Sequence, residues 1–108
     1  MKKQLIVGYL VLDEGQPVRA YIYKEGRYYW TNTDGKHGVS LFPTRVIARR
    51  VKRFLNRKYM KTAAQFFPHK DENEERCYKL WRDRATMLRI SSVVKDAPTI
   101  DELREVLL

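Results

Sequence analysis

The sequence predicts an α+β fold in a single domain over residues 1–108, mainly β over 1–42 and mainly α over 43–108. The first part contains short apolar or alternating runs separated by Gly, Pro and Asp-Gly turns, a pattern typical of an antiparallel sheet. After residue 43 the apolar residues recur at helical spacing. A chain of 108 residues, 44% hydrophobic, is long enough to bury one core.

Three or four antiparallel strands are expected to form a meander in the first part of the chain. The first strand is a continuous apolar run, the second alternates between two faces, and the third is rich in aromatic residues. Asp34-Gly35 is a strong hairpin signal between the last two strands. The predicted strands are residues 5–12, 18–24, 27–31 and 39–42.

Two or three helices are expected to pack on one face of this sheet. Thr44 is the predicted N-cap of a helix over residues 45–59, with residues 60–67 as an optional extension. Apolar residues at helical spacing form its predicted buried stripe. These residues are Ile47, Val51, Phe54 and Leu55.

For the rest of the chain, the sequence predicts one long helix, one short helix and an optional strand between them. Asp71 and Glu74 form a capping box for a helix over residues 71–88, and the acidic first turn suits the helix dipole. Residues 88–94 are predicted as an optional strand between the two helices. Thr99 is the predicted cap of a short C-terminal helix.

The positive charge is confined to one segment. The formal net charge is +9. Ten Lys or Arg and no Asp or Glu lie from Lys36 to Lys70, whereas the remaining residues carry 12 basic and 13 acidic side chains. Such a localised excess predicts an anionic partner.

On a helix over residues 45–61, the basic side chains lie opposite the apolar stripe. An ordinary solvated face would also be polar, but helix stability favours alternating signs, because like charges four residues apart repel. We therefore predict a surface that binds nucleic acid or another anionic partner. Its residues are Arg45, Arg49, Arg50, Lys52, Arg53, Arg57, Lys58 and Lys61, with Lys36 from the preceding turn.

Aromatic residues on the predicted strands form a second candidate surface. Tyr21, Tyr23 and Tyr29 would stack on bases if their sheet face is exposed. The alternative is that they pack against a covering helix with their hydroxyl groups in water, which is the commoner arrangement.

No catalytic residue, metal site or cofactor is predicted. Only three His or Cys residues occur, His37, His69 and Cys77, too few for a closed zinc site. A metal-free nuclease that uses His37 is the enzymatic alternative. The short apolar run at the start lacks a signal-peptide cleavage site, no run reaches membrane-spanning length, and a single cysteine suits the cytoplasm. The oligomeric state is left open.

Residues 21–56 run in the order strand, Gly turn, aromatic strand, Asp-Gly-Lys turn, strand, Phe-x-Thr, helix. This order resembles the three-stranded-sheet-plus-helix DNA-binding module of tyrosine-type integrase amino termini and plant AP2 domains. The resemblance implies that the sheet enters the major groove. This chain differs from that module in one respect: its charge lies mostly on the helix and not on the sheet. The residues that would face DNA are Arg19, Tyr21, Arg27, Tyr29 and Lys36.

The size, the charge and the lack of an enzyme motif are also similar to small phage or mobile-element accessory proteins, including anti-CRISPR proteins. This similarity implies a second hypothesis, an anti-defence inhibitor that binds an acidic protein surface or a nucleic-acid-loaded host complex. The first hypothesis remains the one based on charge: the chain is a non-enzymatic protein that contacts nucleic-acid phosphates through the helix over residues 45–61.

Overall fold

The computed structural model describes residues 3–22, 29–31 and 38–97, together with Thr99, Asp101 and Arg104. Within these ranges an antiparallel sheet and two helices confirm the predicted α+β class. The predicted C-terminal helix lies mostly outside the described residues. The elements are β1 (Gln4–Asp13), β2 (Gln16–Pro17), β3 (Ala20–Ile22), β4 (Tyr29–Thr31), α1 (Arg45–Ala64), α2 (Glu72–Thr86) and β5 (Arg89–Asp96).

The larger sheet has the strand order β2-β1-β5, and all its pairs are antiparallel. The late strand left open by the sequence is β5, which pairs with β1 from Gln4↔Asp96 to Leu12↔Arg89. The register shifts between Ile6 and Gly8, so one extra residue of β1 bulges out of the ladder. The central strand of this sheet is therefore the first one in the chain.

The strands expected in one meander are divided between two sheets. β2 pairs with β1 over only two positions, and its last residue, Pro17, has no N–H to donate. The chain then leaves β1, and β3 pairs with β4 as a separate two-stranded sheet. Isolated bridges at Val39 and Phe42 take the place of the predicted strand over residues 39–42.

Residues 39–42 connect the two sheets and lead into α1. Val39 bridges Ala20 of β3, while the N–H and C=O of Phe42 both bond Tyr9 of β1, each with an N···O distance of 2.8 Å. The close approach requires a glycine at position 8, because a Cβ there would lie 2.6 Å from Cγ of Leu41. The start of α1 is thereby anchored beside the middle of β1.

The hydrophobic core lies between α1, α2 and the larger sheet. Phe42, Leu55, Val11 and Val51 are its largest fully buried side chains. Ala48 and Ala85 are also buried, and such small side chains allow the two helices and the sheet to approach closely. The core therefore holds one face of α1 and leaves the other for solvent.

Candidate nucleic-acid interface

The helix that carries the basic residues begins where the sequence predicts. Thr44 has an extended conformation, and its Oγ1 accepts a hydrogen bond from the N–H of Ile47 at 3.2 Å. This is the N-cap arrangement expected of threonine. The helix continues to Ala64, so the optional extension beyond residue 59 is realised in part. Arg45 and Lys61 therefore belong to one continuous helix.

The buried stripe of α1 differs at one position from the prediction. Phe54 is 39% exposed, whereas Val51 and Leu55 are buried as expected and Ile47 is half-buried. Phe54 lies about 100° around the helix from Leu55, outside the narrow stripe. The other buried positions of the stripe hold Ala or Tyr. A prediction based on strongly apolar side chains does not identify these residues. The buried residues are Ala48, Val51, Leu55, Tyr59 and Ala63.

The predicted basic residues of α1 lie on its outer side. All of them are exposed except Lys52, which is half-buried at the edge of the stripe. We call the exposed set the basic face. It consists of Arg45, Arg49, Arg50, Arg53, Arg57, Lys58 and Lys61.

The described contacts of the acidic residues of α2 lie within α2 or at its N-terminus. Asp71 caps α2 by accepting from the N–H of Glu74 at 2.8 Å, and Glu75 pairs with Lys79 at 3.3 Å. Where α2 packs on α1, the amide of Asn56 donates to the carbonyl of Ala85 at 3.0 Å. In the part of the chain that the structure describes, no ion pair involves these cations of α1: Arg49, Lys52, Arg53, Arg57, Lys58 and Lys61.

Apolar side chains are interleaved with these cations. Val46, Phe54 and Met60 are all exposed on α1. Val46 lies one turn before Arg50, and Met60 lies one turn after Asn56 and beside Arg57. The outer side of α1 therefore carries the basic face and, beside it, small exposed apolar areas.

A polar cluster joins α1 to the rest of the fold. The hydroxyl of Tyr59 donates to Oδ2 of Asp13, while Arg84 of α2 donates to both carboxylate oxygens of Asp13 at 3.0 Å. The Arg84 guanidinium also lies 4.7 Å from the centroid of the Tyr59 ring. Asp13 therefore ties the end of β1 to both helices.

The electrostatics of this cluster follow from its burial and its charges. Burial, followed by the hydrogen bond to Asp13, raises the pKa of Tyr59 to about 12, so its hydroxyl stays protonated as the donor. The hydrogen bond to Asp13 raises the pKa of Arg84 above its ordinary value. Both partners of Asp13 thus hold their protons, and the cluster fixes the orientation of α1. The sequence does not reveal this cluster, because the three residues are far apart in the chain.

The aromatic candidates lie at the limit of what the structure describes. Tyr21 and Tyr29 are in β3 and β4, where Tyr21 pairs with Trp30 and Ile22 with Tyr29. Their side chains, and all of Tyr23, lie outside the described residues, as do Arg27 and Lys36. Arg19 is described, and its Nη1 donates to the carbonyl of Gly38 at 3.4 Å. Base stacking by the three tyrosines stays a prediction.

The histidine nearest Cys77 in the sequence lies among aromatic rings. His69 makes edge contacts with Phe67 and Tyr78, with ring centroids 5.7 Å and 4.5 Å apart. Among the described residues, no three His, Cys, Asp or Glu side chains come together as metal ligands. In the same ranges no helix has the length and apolar character to cross a membrane.

No family model, curated protein or solved structure matches the chain. The resemblance of residues 21–56 to integrase and AP2 modules, and of the whole chain to phage accessory proteins, therefore stays a prediction.

Proposed function

We propose that this protein is a non-enzymatic nucleic-acid-binding protein that contacts backbone phosphates through the basic face of α1. The observation that supports the proposal is a single helix with seven exposed cations. Five of them, together with half-buried Lys52, form no ion pair in the described part of the chain. Phosphates are the natural counterpart of such a surface, because a guanidinium binds two phosphate oxygens at once.

The cost of this arrangement to the helix supports the same proposal. Arg45, Arg49, Arg53 and Arg57 succeed one another at intervals of four residues, so each cation faces another one turn away. Each such pair destabilises an isolated helix by about 0.2–0.5 kcal/mol. A partner that supplies negative charge removes this repulsion. If this face were only hydrated, an interspersed Glu or Asp would increase the stability of the helix.

A second candidate function is inhibition of a protein or ribonucleoprotein partner, as in phage anti-defence proteins. The exposed apolar residues Val46, Phe54 and Met60 favour it, because contacts with phosphates alone leave them in water. An acidic protein surface with an apolar centre would match both the basic face and these three apolar residues. If this candidate holds, we expect replacement of these three residues with serine to weaken the protein complex and to leave phosphate binding nearly unchanged.

The proposal is tested by filter binding with radiolabelled duplex and single-stranded DNA and RNA of random sequence. At about 50 mM salt, where non-specific contacts are strong, we expect binding to at least one of these nucleic acids. At about 200 mM salt the affinity should fall by two orders of magnitude or more if five phosphates are contacted. Failure to retain any nucleic acid at the lower salt contradicts the proposal and leaves the protein-binding candidate.

A further inference from the structure

A cleft of about 300 Å³ opens between the first half of α1 and strand β5. It is lined by Arg45, Arg49, Lys52 and Ile90. Three of the four lining residues are cations and none is acidic, so the cleft has a positive charge on one wall and an apolar side chain on the other. The three cations occupy one strip of α1, at positions i, i+4 and i+7, along the edge of the buried stripe.

Two of these cations are held or confined by their surroundings. The guanidinium of Arg45 lies 5.5 Å from the ring centroid of Tyr9, so the sheet positions its charge by a cation–π contact. Lys52 is half-buried, which removes part of the water from its side chain. Arg49 lies between them and has no ion pair with a described residue. Two of the three cations of the cleft are therefore positioned or confined by the fold itself.

The direction of α1 adds to the positive potential. The first turn of α1 contains no acidic residue, and Arg45 is its first residue. The positive end of the helix dipole lies beside Arg45, in the first turn, where the dipole acts. No acidic side chain lines the cleft, so its chemistry suits an anion.

We propose that this cleft is a specific phosphate-binding site that holds one phosphate group between Arg45, Arg49 and Lys52. In the nucleic-acid complex, and resting on the proposed function, that group is a backbone phosphate whose position fixes how the strand lies along α1. The other cations of the basic face then contribute screened, less specific attraction. Free phosphate shares the same chemistry, so the test distinguishes the two sources.

The first part of the test uses inorganic phosphate without nucleic acid. Nuclear magnetic resonance follows the Nε–H signals of Arg45 and Arg49 while sodium phosphate is added at constant ionic strength, with chloride as the reference salt. We expect a saturable shift of the Arg45 signal in the wild-type chain. We expect the double variant Arg49→Gln/Lys52→Gln to weaken phosphate binding at least about tenfold, because it removes two of three charge-assisted contacts.

The matched control is Arg57→Gln/Lys61→Gln, which removes the same two charges from α1 outside the cleft. It should bind inorganic phosphate as the wild-type chain does. Equal weakening by the two double variants, or a linear shift that chloride reproduces, overturns the proposal. Because neither variant changes Arg45 or Tyr9, the reporting contact is retained in both. Circular dichroism and the dispersion of the amide signals verify that both variants are folded.

The second part repeats the titration with a short single-stranded or duplex oligonucleotide. A backbone phosphate in the cleft predicts that the oligonucleotide shifts the Arg45 signal and that inorganic phosphate competes with it. If nucleic acid binds but the two double variants lose the same affinity, the proposed function stands and the cleft proposal is overturned. If inorganic phosphate binds and no nucleic acid does, the cleft is a site for free phosphate and the proposed function fails.

Discussion

Replacing Arg49, Arg53 and Arg57 with glutamate is expected to weaken nucleic-acid binding at least about a hundredfold at about 100 mM salt, because three phosphate contacts are lost. Each substitution replaces an attraction to phosphate with a repulsion. The helix itself should persist, since Arg and Glu have similar helix propensities and the three side chains lie outside the core. The affinity is measured by filter binding, and circular dichroism monitors helix content.

A control with the same change in net charge separates the basic face from charge in general. Arg76, Lys79 and Lys95 are exposed residues of α2 and β5, and none of them lies on α1. Their simultaneous replacement with glutamate should lower the affinity only a few-fold, through the long-range field that salt screens. Equal losses in the two triple variants would mean that α1 is not the binding surface.

Asp13→Ala is expected to destabilise the fold by about 2–4 kcal/mol, because it leaves two donors without their buried acceptor. The Asp13 carboxylate is only 10% exposed and accepts from Tyr59 and from Arg84. It joins β1 to both helices, so its loss loosens the packing on which α1 depends. Such a loss is a large part of the roughly 5–15 kcal/mol stability usual for a small domain. Urea unfolding followed by tryptophan fluorescence measures the change.

Asp83→Ala is the matched control for this prediction. Asp83 pairs with Arg82 at 3.5 Å, but its side chain is 60% exposed. A surface ion pair of this kind contributes less than about 1 kcal/mol. We therefore expect Asp83→Ala to shift the unfolding midpoint little. Similar midpoints for the two variants would show that the Asp13 cluster does not stabilise the fold.

Features encoded by neighbouring residues could be predicted from the sequence. The start of α1 depends on Thr44 and the start of α2 on Asp71, and each cap acts on a backbone N–H three residues later. The placement of the cations on the outer side of α1 follows from helical geometry alone. The absence of acidic residues from Lys36 to Lys70 is a property of composition, so the sequence alone establishes it.

Features that depend on distant residues could not be predicted. The pairing of β1 with β5 joins the two ends of the described chain, and periodicity says only that residues 88–94 suit a strand. The Tyr59–Asp13–Arg84 cluster depends on three elements meeting at one point. The same limit applies to the phosphate cleft, since its apolar wall is Ile90 of β5. The prediction that Phe54 is buried was wrong. It was based on the hydrophobicity of the side chain, whereas the angular position of Phe54 on α1 lies outside the buried stripe.

The salt dependence of nucleic-acid affinity tests the central claim most directly. The logarithm of the association constant is measured against the logarithm of the salt concentration for the wild-type chain. Contact between the basic face and about five phosphates predicts a linear dependence with a slope of about −4 to −5. In the variant with glutamate at positions 49, 53 and 57, the slope should become about three units less steep. A wild-type slope near zero, or the same slope in both chains, would contradict phosphate binding by α1.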